Sequence, residues 1–290
     1  MTIDVDLLDL GSPTILGQAS PSLLFGGYNV IRDSMVADAV AEGNADETVV
    51  SFLPTATQFT AIAPPGFSLS GDIVATKANL KALGFNNLDS LFGASDGEIQ
   101  FNSGFNFDFD RSDSITGFDF ETVAAHEIGH ILGFISEVDT VDFLLSQGTT
   151  GALDPTTWDL FRFQNNIAGR DPETLAEFTT APRFLSSGSN AIFDDVSQEL
   201  ALSTGRTTGD GNQASHWRDD NFLGGNSIGL MDPIYDGVQD VNQNDLRVLD
   251  LIGYNIASFH GGVVPEPAAL WLVLAAGTVV GSVRVRRPYR

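Results

Sequence analysis

The 290-residue sequence predicts an α+β fold, and three observations indicate it. Apolar and polar residues alternate over residues 1–7 and again over residues 98–110, which is the side-chain period of a half-buried β-strand. Residues 120–132 have the composition of a helix and are followed by Gly133, a residue type that commonly ends helices. Residues 242–252 predict a final helix, because leucines recur behind a capping asparagine.

Weaker patterns occupy the rest of the chain. Residues 28–42 predict a short helix, residues 47–53 a strand, and residues 75–83 a second helix. Residues 158–163 look like a strand, and further short strands are expected between residues 178 and 222. The apolar residues expected on one side of the first helix are Val30, Met35, Val36 and Val40.

The composition excludes several classes of protein. Aspartate and glutamate total 38 against 14 lysines and arginines, which gives a formal charge of −24. Such a charge disfavours nucleic acids and anionic membrane surfaces as partners. The chain contains no cysteine, so disulfide bonds and thiolate metal sites are excluded. Hydrophobic residues make up 42% of the chain, which is typical of a folded protein.

The sequence His126-Glu127-Ile128-Gly129-His130 carries the clearest chemical signal. Histidines four residues apart on a helix lie on one face, so both imidazoles can reach one metal ion. Zinc accepts neutral imidazole nitrogens at about 2.0–2.1 Å. Glu127 could take a proton from a zinc-activated water and give it to the leaving amine. The pattern therefore predicts a catalytic zinc site with Glu127 as the general base.

A third protein ligand is required, and the sequence leaves more than one candidate. The extended form of the motif would use position 136, but Ser136 is a poor zinc ligand. His216 is favoured, because a folded chain can return a distant loop to the metal, and Asp139 is the main alternative. Glu137 is a further carboxylate nearby. The last of the four histidines, His260, is expected to be solvated in a linker.

Residues 126–134, which read HEIGHILGF, resemble the zinc helix of the metzincin metalloproteases, and Met231 before Pro233 resembles their Met-turn. The late His216, followed by a tryptophan and then this turn, is similar to the leishmanolysin branch. It is closer still to bacterial metalloproteases that carry PEP-CTERM tails. The resemblance implies zinc binding by His126, His130 and His216, a general base at Glu127, and a floor beneath the metal at Met231.

The same resemblance implies a two-lobed zincin fold over residues 1–258, with zinc and an extended peptide in the cleft between the lobes. The upper lobe, about residues 1–133, would hold a mixed twisted sheet and the zinc helix. The irregular lower lobe, about residues 134–258, would end in a C-terminal helix. Metzincins begin with a strand and a long helix, and the sequence does not predict that long helix before residue 95. The upper lobe is therefore expected to be N-terminally incomplete.

The C-terminal residues 265–290 resemble the PEP-CTERM sorting signal of Gram-negative bacteria. A linker over residues 259–264 leads to Pro-Glu-Pro, an apolar helix candidate over residues 268–283 and a cluster of arginines. This resemblance implies export to the cell surface or beyond, recognition by an exosortase-type enzyme, and transient inner-membrane anchoring through residues 268–283. The first residues lack the pattern of a signal peptide, so the sequence is expected to start internally.

Three weaker signals remain. Residues 105–110 could form the edge strand that pairs with an extended substrate, or an ordinary half-buried strand. Calcium could bind carboxylates in this region, although a solvated turn is the simpler interpretation. The carboxylates concerned are Asp108, Asp110 and Asp113. Tyr235, four residues after Met231, could donate a hydrogen bond to the tetrahedral intermediate.

The residues together predict an exported zinc metalloendopeptidase. The alternative is a non-catalytic zinc-binding protein of the extracellular matrix or cell surface, and Glu127 distinguishes the two, because a structural zinc site needs no carboxylate there. A zinc esterase or amidase that acts on small substrates would use the same motif.

Overall fold

A computed structural model describes residues 1–43, 45–188 and 190–256 and shows a mixed architecture of small sheets and helices, compatible with the α+β class. These residues belong to one compact unit, Met1–Ile256. The predictions for the linker, the apolar segment, the arginines and His260 lie outside the described residues. The division into lobes at about residue 133 stays a prediction.

Helices and strands are numbered in chain order within the described residues. The α-helices are α1 (Tyr28–Glu42), α2 (Lys77–Ala82), α3 (Leu88–Phe92), α4 (Phe120–Leu132), α5 (Val138–Ser146), α6 (Leu175–Thr180) and α7 (Gln243–Leu251). The 3-10 helices are Ala45–Phe52, Trp158–Phe161 and Asp220–Leu223. The strands are β1 (Ile3–Leu8), β2 (Gly17–Pro21), β3 (Leu23–Gly27), β4 (Ala61–Ile62), β5 (Ser68–Leu69), β6 (Asp72–Thr76), β7 (Gly97–Asn102), β8 (Phe107–Asp108), β9 (Phe118–Asp119), β10 (Ala152–Leu153), β11 (Arg162–Gln164), β12 (Arg183–Phe184), β13 (Ala191–Asp194) and β14 (Glu199–Leu202).

The sheet that positions the site has the strand order β1-β7-β2. β1 runs parallel to β7, and β2 runs antiparallel to β7 on its other side, with Gly17 opposite Phe101. Helix α4 packs across this sheet, and Val123 and Ile131 bury their side chains against Ile99 and Phe101. As a result, the edge strand β2 lies beside α4.

Three further pairings complete the larger elements of the fold. β3 pairs antiparallel with β6, and β13 lies between β11 and β14 in an antiparallel sheet. The short pairs β10-β5, β12-β4 and β8-β9 are parallel. The main core lies around Trp217, which is fully buried and meets the rings of Phe134, Trp158 and Phe193 nearly edge-on.

Two of the predicted helices, α4 and α7, are confirmed, and each begins at a capping side chain. The Asp119 side chain accepts a hydrogen bond from the Thr122 N–H at 2.8 Å and begins α4, and Gly133 ends it at a φ of 134°. The predicted helix over residues 120–132 is therefore confirmed with its end. Helix α7 begins at Asn242 in a capping box with Asp245, as its pattern predicts.

The first helix is also confirmed in extent, but its predicted apolar side is only half correct: Met35 is buried and Val36 is partly buried against the main core, whereas Val30 and Val40 are exposed. α1 buries Tyr28, Ile31, Met35 and Ala39. Val30 and Val40 are 57% and 65% exposed. Its apolar residues are spread around the helix, so the sequence alone does not define the buried face.

Two strand predictions are wrong because packing favours tighter turns. Residues 47–53 lie largely in a 3-10 helix that buries Val49, Val50 and Leu53 in the main core. The predicted strand over residues 158–163 begins instead as a 3-10 helix. There Thr156 and Asp159 cap each other, through N–H to side-chain bonds of 2.9 and 3.1 Å, and the chain becomes extended only at β11.

The predicted strand over residues 98–110 is divided. β7 ends at Asn102, whose side chain donates to the carbonyls of Ser12 and Ile15 and accepts from the Gly104 N–H at 3.0 Å. These bonds fix a turn, and pairing resumes only in the two-residue strand β8. The short strands expected between residues 178 and 222 are present as β12, β13 and β14.

Helix length also bears on the membrane prediction. Over the described ranges, the helices are too short or too polar for a bilayer crossing. The segment that the sequence associates with the membrane, residues 268–283, is not among them.

Candidate metal centre

The three predicted histidine ligands meet at one point. His126 Nε2 and His130 Nε2 each lie 3.2 Å from His216 Nε2. Two nitrogens bound tetrahedrally to zinc at 2.0–2.1 Å lie about 3.3 Å apart, so this spacing fits the ion. Within the described residues the group consists of these three side chains, with no carboxylate among them.

Each histidine uses its other ring nitrogen to hold its orientation. His126 Nδ1 lies 3.0 Å from the Leu230 carbonyl oxygen, and His130 Nδ1 lies 2.6 Å from that of Phe134. His216 Nδ1 lies 3.2 Å from the Gln213 carbonyl oxygen. A carbonyl oxygen accepts a hydrogen bond only from N–H, so these contacts place the proton on Nδ1. The lone pair of each Nε2 then points into the group, as metal binding requires.

The electrostatics of the site follow from its burial. Burial lowers the pKa of all three histidines, and for His130 burial and the neighbouring His126 lower it to about 3. The imidazoles are therefore neutral at physiological pH, which is the form that binds metals. Glu127 is 7% exposed, and burial raises the pKa of its carboxyl group to about 8.

The side chain of Glu127 extends from α4 toward β2, the edge strand of the β1-β7-β2 sheet. A Cβ atom at Gly17 in β2 would lie 2.9 Å from Glu127 Oε1. This contact is shorter than side chains tolerate, so glycine allows the strand to approach the carboxylate. Glu127, which adjoins His126 in sequence, and the backbone of β2 are thereby held side by side.

His216 reaches the group on a loop that Asp139 anchors. Asp139 accepts hydrogen bonds from the N–H groups of Ala214 and Ser215 at 2.6 and 3.1 Å and from the Ser215 hydroxyl. The Ser136 N–H donates to the same hydroxyl at 2.9 Å. Asp139 therefore lies behind the loop, not with the three nitrogens. Burial, opposed by these hydrogen bonds, raises its pKa to about 6.

Glu137 also lies outside the histidine group and bonds to another segment. It is buried and accepts a long hydrogen bond from the Asp154 N–H at 3.3 Å. Neither carboxylate that the sequence offered as a substitute ligand joins the histidine group.

Met231 packs against the helix between the two histidines of α4. A Cβ atom at Gly129 would overlap the Met231 sulfur, which explains the glycine within the motif. Met231 is 1% exposed, and its carbonyl accepts from the Trp217 N–H at 3.0 Å. The turn at Met231 is thus joined directly to the segment that carries His216.

Asp245 supports this arrangement and was missed from the sequence. Its carboxylate accepts from the Leu230 N–H at 2.9 Å and from Trp217 Nε1 at 2.8 Å. A Cβ atom at Gly229 would collide with the same carboxylate. The only sequence signal was the acidic residue three positions after Asn242, which reads as a helix cap and gives no indication of this second role.

The weaker candidates lie elsewhere. The Tyr235 hydroxyl accepts from the Asp119 N–H at 2.9 Å, at the start of α4 and about 10 Å along the helix axis from His126. Residues 105–110 do not form the sheet edge beside the site, since β8 pairs with β9 and that edge is β2.

The predicted calcium carboxylates form an ordinary turn. Asp108 accepts from the Asp110 and Thr116 N–H groups at 3.0 and 2.7 Å, and Asp110 accepts from the Ser112 N–H at 2.9 Å. These aspartates are not among the groups of described side chains close enough to share a cation. The solvated turn is the better interpretation of this region.

Comparisons with known proteins give no match to a family model, to a curated protein or to a solved structure.

Proposed function

We propose that this protein is a zinc-dependent endopeptidase of the metzincin type. The observation that supports it best is the convergence of three Nε2 atoms, each with its Nδ1 held by a backbone carbonyl, beside the buried Glu127. His126, His130 and His216 would hold the metal. Met231, packed under Gly129, is consistent with a Met-turn.

A catalytic role is favoured over a purely structural zinc site. Structural zinc normally has four protein ligands, whereas the group within the described residues supplies three. Glu127 is next to the first ligand in sequence and is buried without belonging to the ligand group. A protein that needed only a stabilising ion would gain nothing from a buried carboxylate at this position.

The chain's own residues divide the chemistry between them. Bound zinc polarises the scissile carbonyl and lowers the pKa of a water molecule. Glu127 takes the proton of the attacking water and passes it to the leaving amine. The backbone carbonyls of Leu230, Phe134 and Gln213 keep the imidazoles oriented throughout. The reaction requires no covalent intermediate with the protein.

The substrate is an extended peptide. β2 is the outer strand of its sheet, so its free edge can accept a further strand, and Gly17 brings that edge against Glu127. Backbone hydrogen bonds to β2 would hold the peptide with a scissile bond beside the carboxylate. This assignment replaces residues 105–110 as the substrate strand.

The C-terminal residues 265–290 would act in sorting. Their resemblance to a PEP-CTERM signal supports export, recognition by an exosortase-type enzyme and transient anchoring through residues 268–283. The site of action would then be the cell surface or the extracellular space of a Gram-negative bacterium.

The test is zinc content and casein cleavage measured on the same purified full chain. Wild type should contain one zinc per chain and lose activity with a chelator. Glu127→Gln should keep the zinc and lose at least about a hundredfold in kcat/KM. His216→Ala should lose the metal, and the matched control His260→Ala should change neither property.

The alternatives give distinct results. Bound zinc without cleavage of casein or of a peptide library would favour the non-catalytic surface protein. Turnover of small esters alone would favour an esterase or amidase. A fully active Glu127→Gln variant would reject the proposed mechanism.

A further inference from the structure

Apart from the histidine group, a cluster of acidic side chains lies at the turn end of the β13–β14 hairpin. Asp194 and Glu199 are paired residues at the last position of this ladder. Asp171 comes from the loop after β11. One carboxylate oxygen of each residue lies within 4.8 Å of the others. Three negative charges therefore share one small volume, well separated in sequence from the histidine motif.

The carboxylate of Asp194 is incompletely bonded although it is buried. The residue is 1% exposed, and its Oδ1 accepts from the Val196 N–H at 2.6 Å. Its Oδ2 is buried with no hydrogen-bond partner, and so is Asp171 Oδ1. Buried polar atoms without partners are uncommon in folded proteins, and an ion bound at these two oxygens would supply the missing partner.

The charges of the group are not balanced by the protein. No ion pair within the described residues involves Asp171, Asp194 or Glu199. The buried guanidinium of Arg183 interacts with Asp194 only at longer range: its Nε and Nη1 donate hydrogen bonds to backbone carbonyls, and its Nη2 has no hydrogen-bond partner. Burial, opposed by the hydrogen bond from Val196 and reinforced by the neighbouring carboxylates, raises the pKa of Asp194 to about 7. A cation would remove this penalty.

We propose that Asp171, Asp194 and Glu199 bind a calcium ion. All three donors are carboxylate oxygens, which hard cations prefer, and the group contains no imidazole that would favour zinc. Calcium accepts irregular arrangements of six to eight oxygens, whereas magnesium requires a near-ideal octahedron. Asp194 supplies the buried oxygen, and the exposed Glu199 closes the site toward solvent.

A further acidic group among the described residues illustrates the difference. Asp219, Asp220 and Asp232 are equally close together. The carboxylates of Asp219 and Asp232, however, accept backbone hydrogen bonds, for example from the Asp220 and Ile234 N–H groups to Asp232 at 3.0 and 2.9 Å. None of their oxygens is a buried atom without a partner. This group carries no proposal and serves as the control.

Calcium would stabilise the strand that leads to His216. β14 begins at Glu199, and at its other end Leu202 forms a bridge with Trp217. The next residue, Ser203, donates its N–H to the His216 carbonyl at 3.1 Å. The ion would therefore join the loop of Asp171 to a strand whose opposite end supports the histidine segment. The proposal does not depend on peptidase activity.

The experiment uses the full chain freed of calcium with EGTA. Calcium alone is titrated by calorimetry, and Tm is measured with calcium or magnesium. Wild type should bind one calcium and gain roughly 5–10 °C in Tm at calcium about a hundredfold above Kd. Equal magnesium should give a much smaller shift.

Asp194→Asn should abolish the calcium-dependent shift. Its Tm without calcium should equal or exceed that of wild type, because one buried negative charge is gone. Glu199→Gln, at an exposed position that tolerates substitution, should weaken calcium binding at least about tenfold. Asp220→Asn in the control group should keep the full response. The proposal is overturned if wild type does not bind calcium, if Asp194→Asn and Glu199→Gln both respond normally, or if Asp220→Asn alone loses the response.

Discussion

The carboxylate of Asp245 accepts a hydrogen bond from the Leu230 N–H at 2.9 Å, and the carbonyl oxygen of the same Leu230 lies 3.0 Å from His126 Nδ1. One peptide segment thus connects the first turn of α7 to a candidate ligand on α4. Trp217, next to His216, donates to the same carboxylate. The three histidines lie on two segments, α4 and the loop of His216, and both segments are therefore connected to one buried aspartate.

Asp245→Asn tests this connection. The asparagine amide has the shape of the aspartate carboxylate, but one of its two oxygens is replaced by an NH2 group. The Leu230 N–H and the Trp217 indole N–H both need an acceptor, and an NH2 group cannot accept their hydrogen bonds. Stability should fall by about 1–3 kcal/mol, and zinc affinity should fall about 10–100-fold, as for other groups that orient metal ligands. Denaturant unfolding and a zinc competition titration measure the two effects. Asp113→Asn, at an exposed position, is the control and should change neither.

Gly129→Ala tests the packing of the turn against α4. The new methyl group would overlap the Met231 sulfur, so overpacking should cost about 1–3 kcal/mol. Met231→Ala should cost about 2–5 kcal/mol through the cavity that it leaves. If the two side chains compete for one space, the double variant should lose less stability than the sum of the losses in the two single variants. Strict additivity in thermal unfolding would refute the contact.

Gly17→Ala tests the approach of β2 to Glu127. A Cβ atom 2.9 Å from Oε1 must displace the carboxylate. We expect kcat/KM for peptide cleavage to fall about 10–100-fold, since small displacements of catalytic groups have effects of this size. Zinc content should be unchanged. The matched control is Gly27→Ala, where a Cβ atom would meet only Val30 at an ordinary 3.8 Å. Equal activity losses in both variants would point to a general weakening of the sheets.

Asp119→Asn tests the cap of α4 through pH. Burial raises the pKa of Asp119, but hydrogen bonds from Arg111 and Thr122 outweigh it and leave the pKa below its usual value. The carboxylate therefore stabilises the fold above the unfolded-state pKa of about 3.9, and this contribution is lost as pH falls through the folded-state pKa.

The variant should accordingly be less stable by about 1–3 kcal/mol near pH 7. The difference from wild type should shrink below about pH 4. Urea unfolding at several pH values measures it, with Asp113→Asn, at an exposed position, as the control. A stability difference that does not change with pH would show that the charge of Asp119 is not what stabilises the helix start.

The local parts of the site could be predicted from the sequence. The spacing of His126 and His130 needs only the geometry of a helix, and that helix has its own signals in Asp119 and Gly133. The capping pattern at Asn242 similarly determined the start of α7. In each case the residues that decide the conformation lie within one or two turns of one another. The sequence by itself therefore determined α4, the start of α7 and two of the three histidine positions.

Other features depended on contacts between distant segments. His216 lies 86 residues beyond His130, and only the folded loop decided between it and Asp139 as the third member of the group. The edge beside Glu127 is β2, not residues 105–110, because the pairing order of a sheet is not a property of any single strand.

The same reason explains the wrong strand at residues 47–53 and the unexpected exposure of Val30 and Val40 on α1. An apolar segment takes whichever conformation buries its side chains best among neighbours that are distant in sequence. Capping and helical spacing act between near neighbours and can be read locally. Burial and strand pairing are settled only when the whole chain has packed.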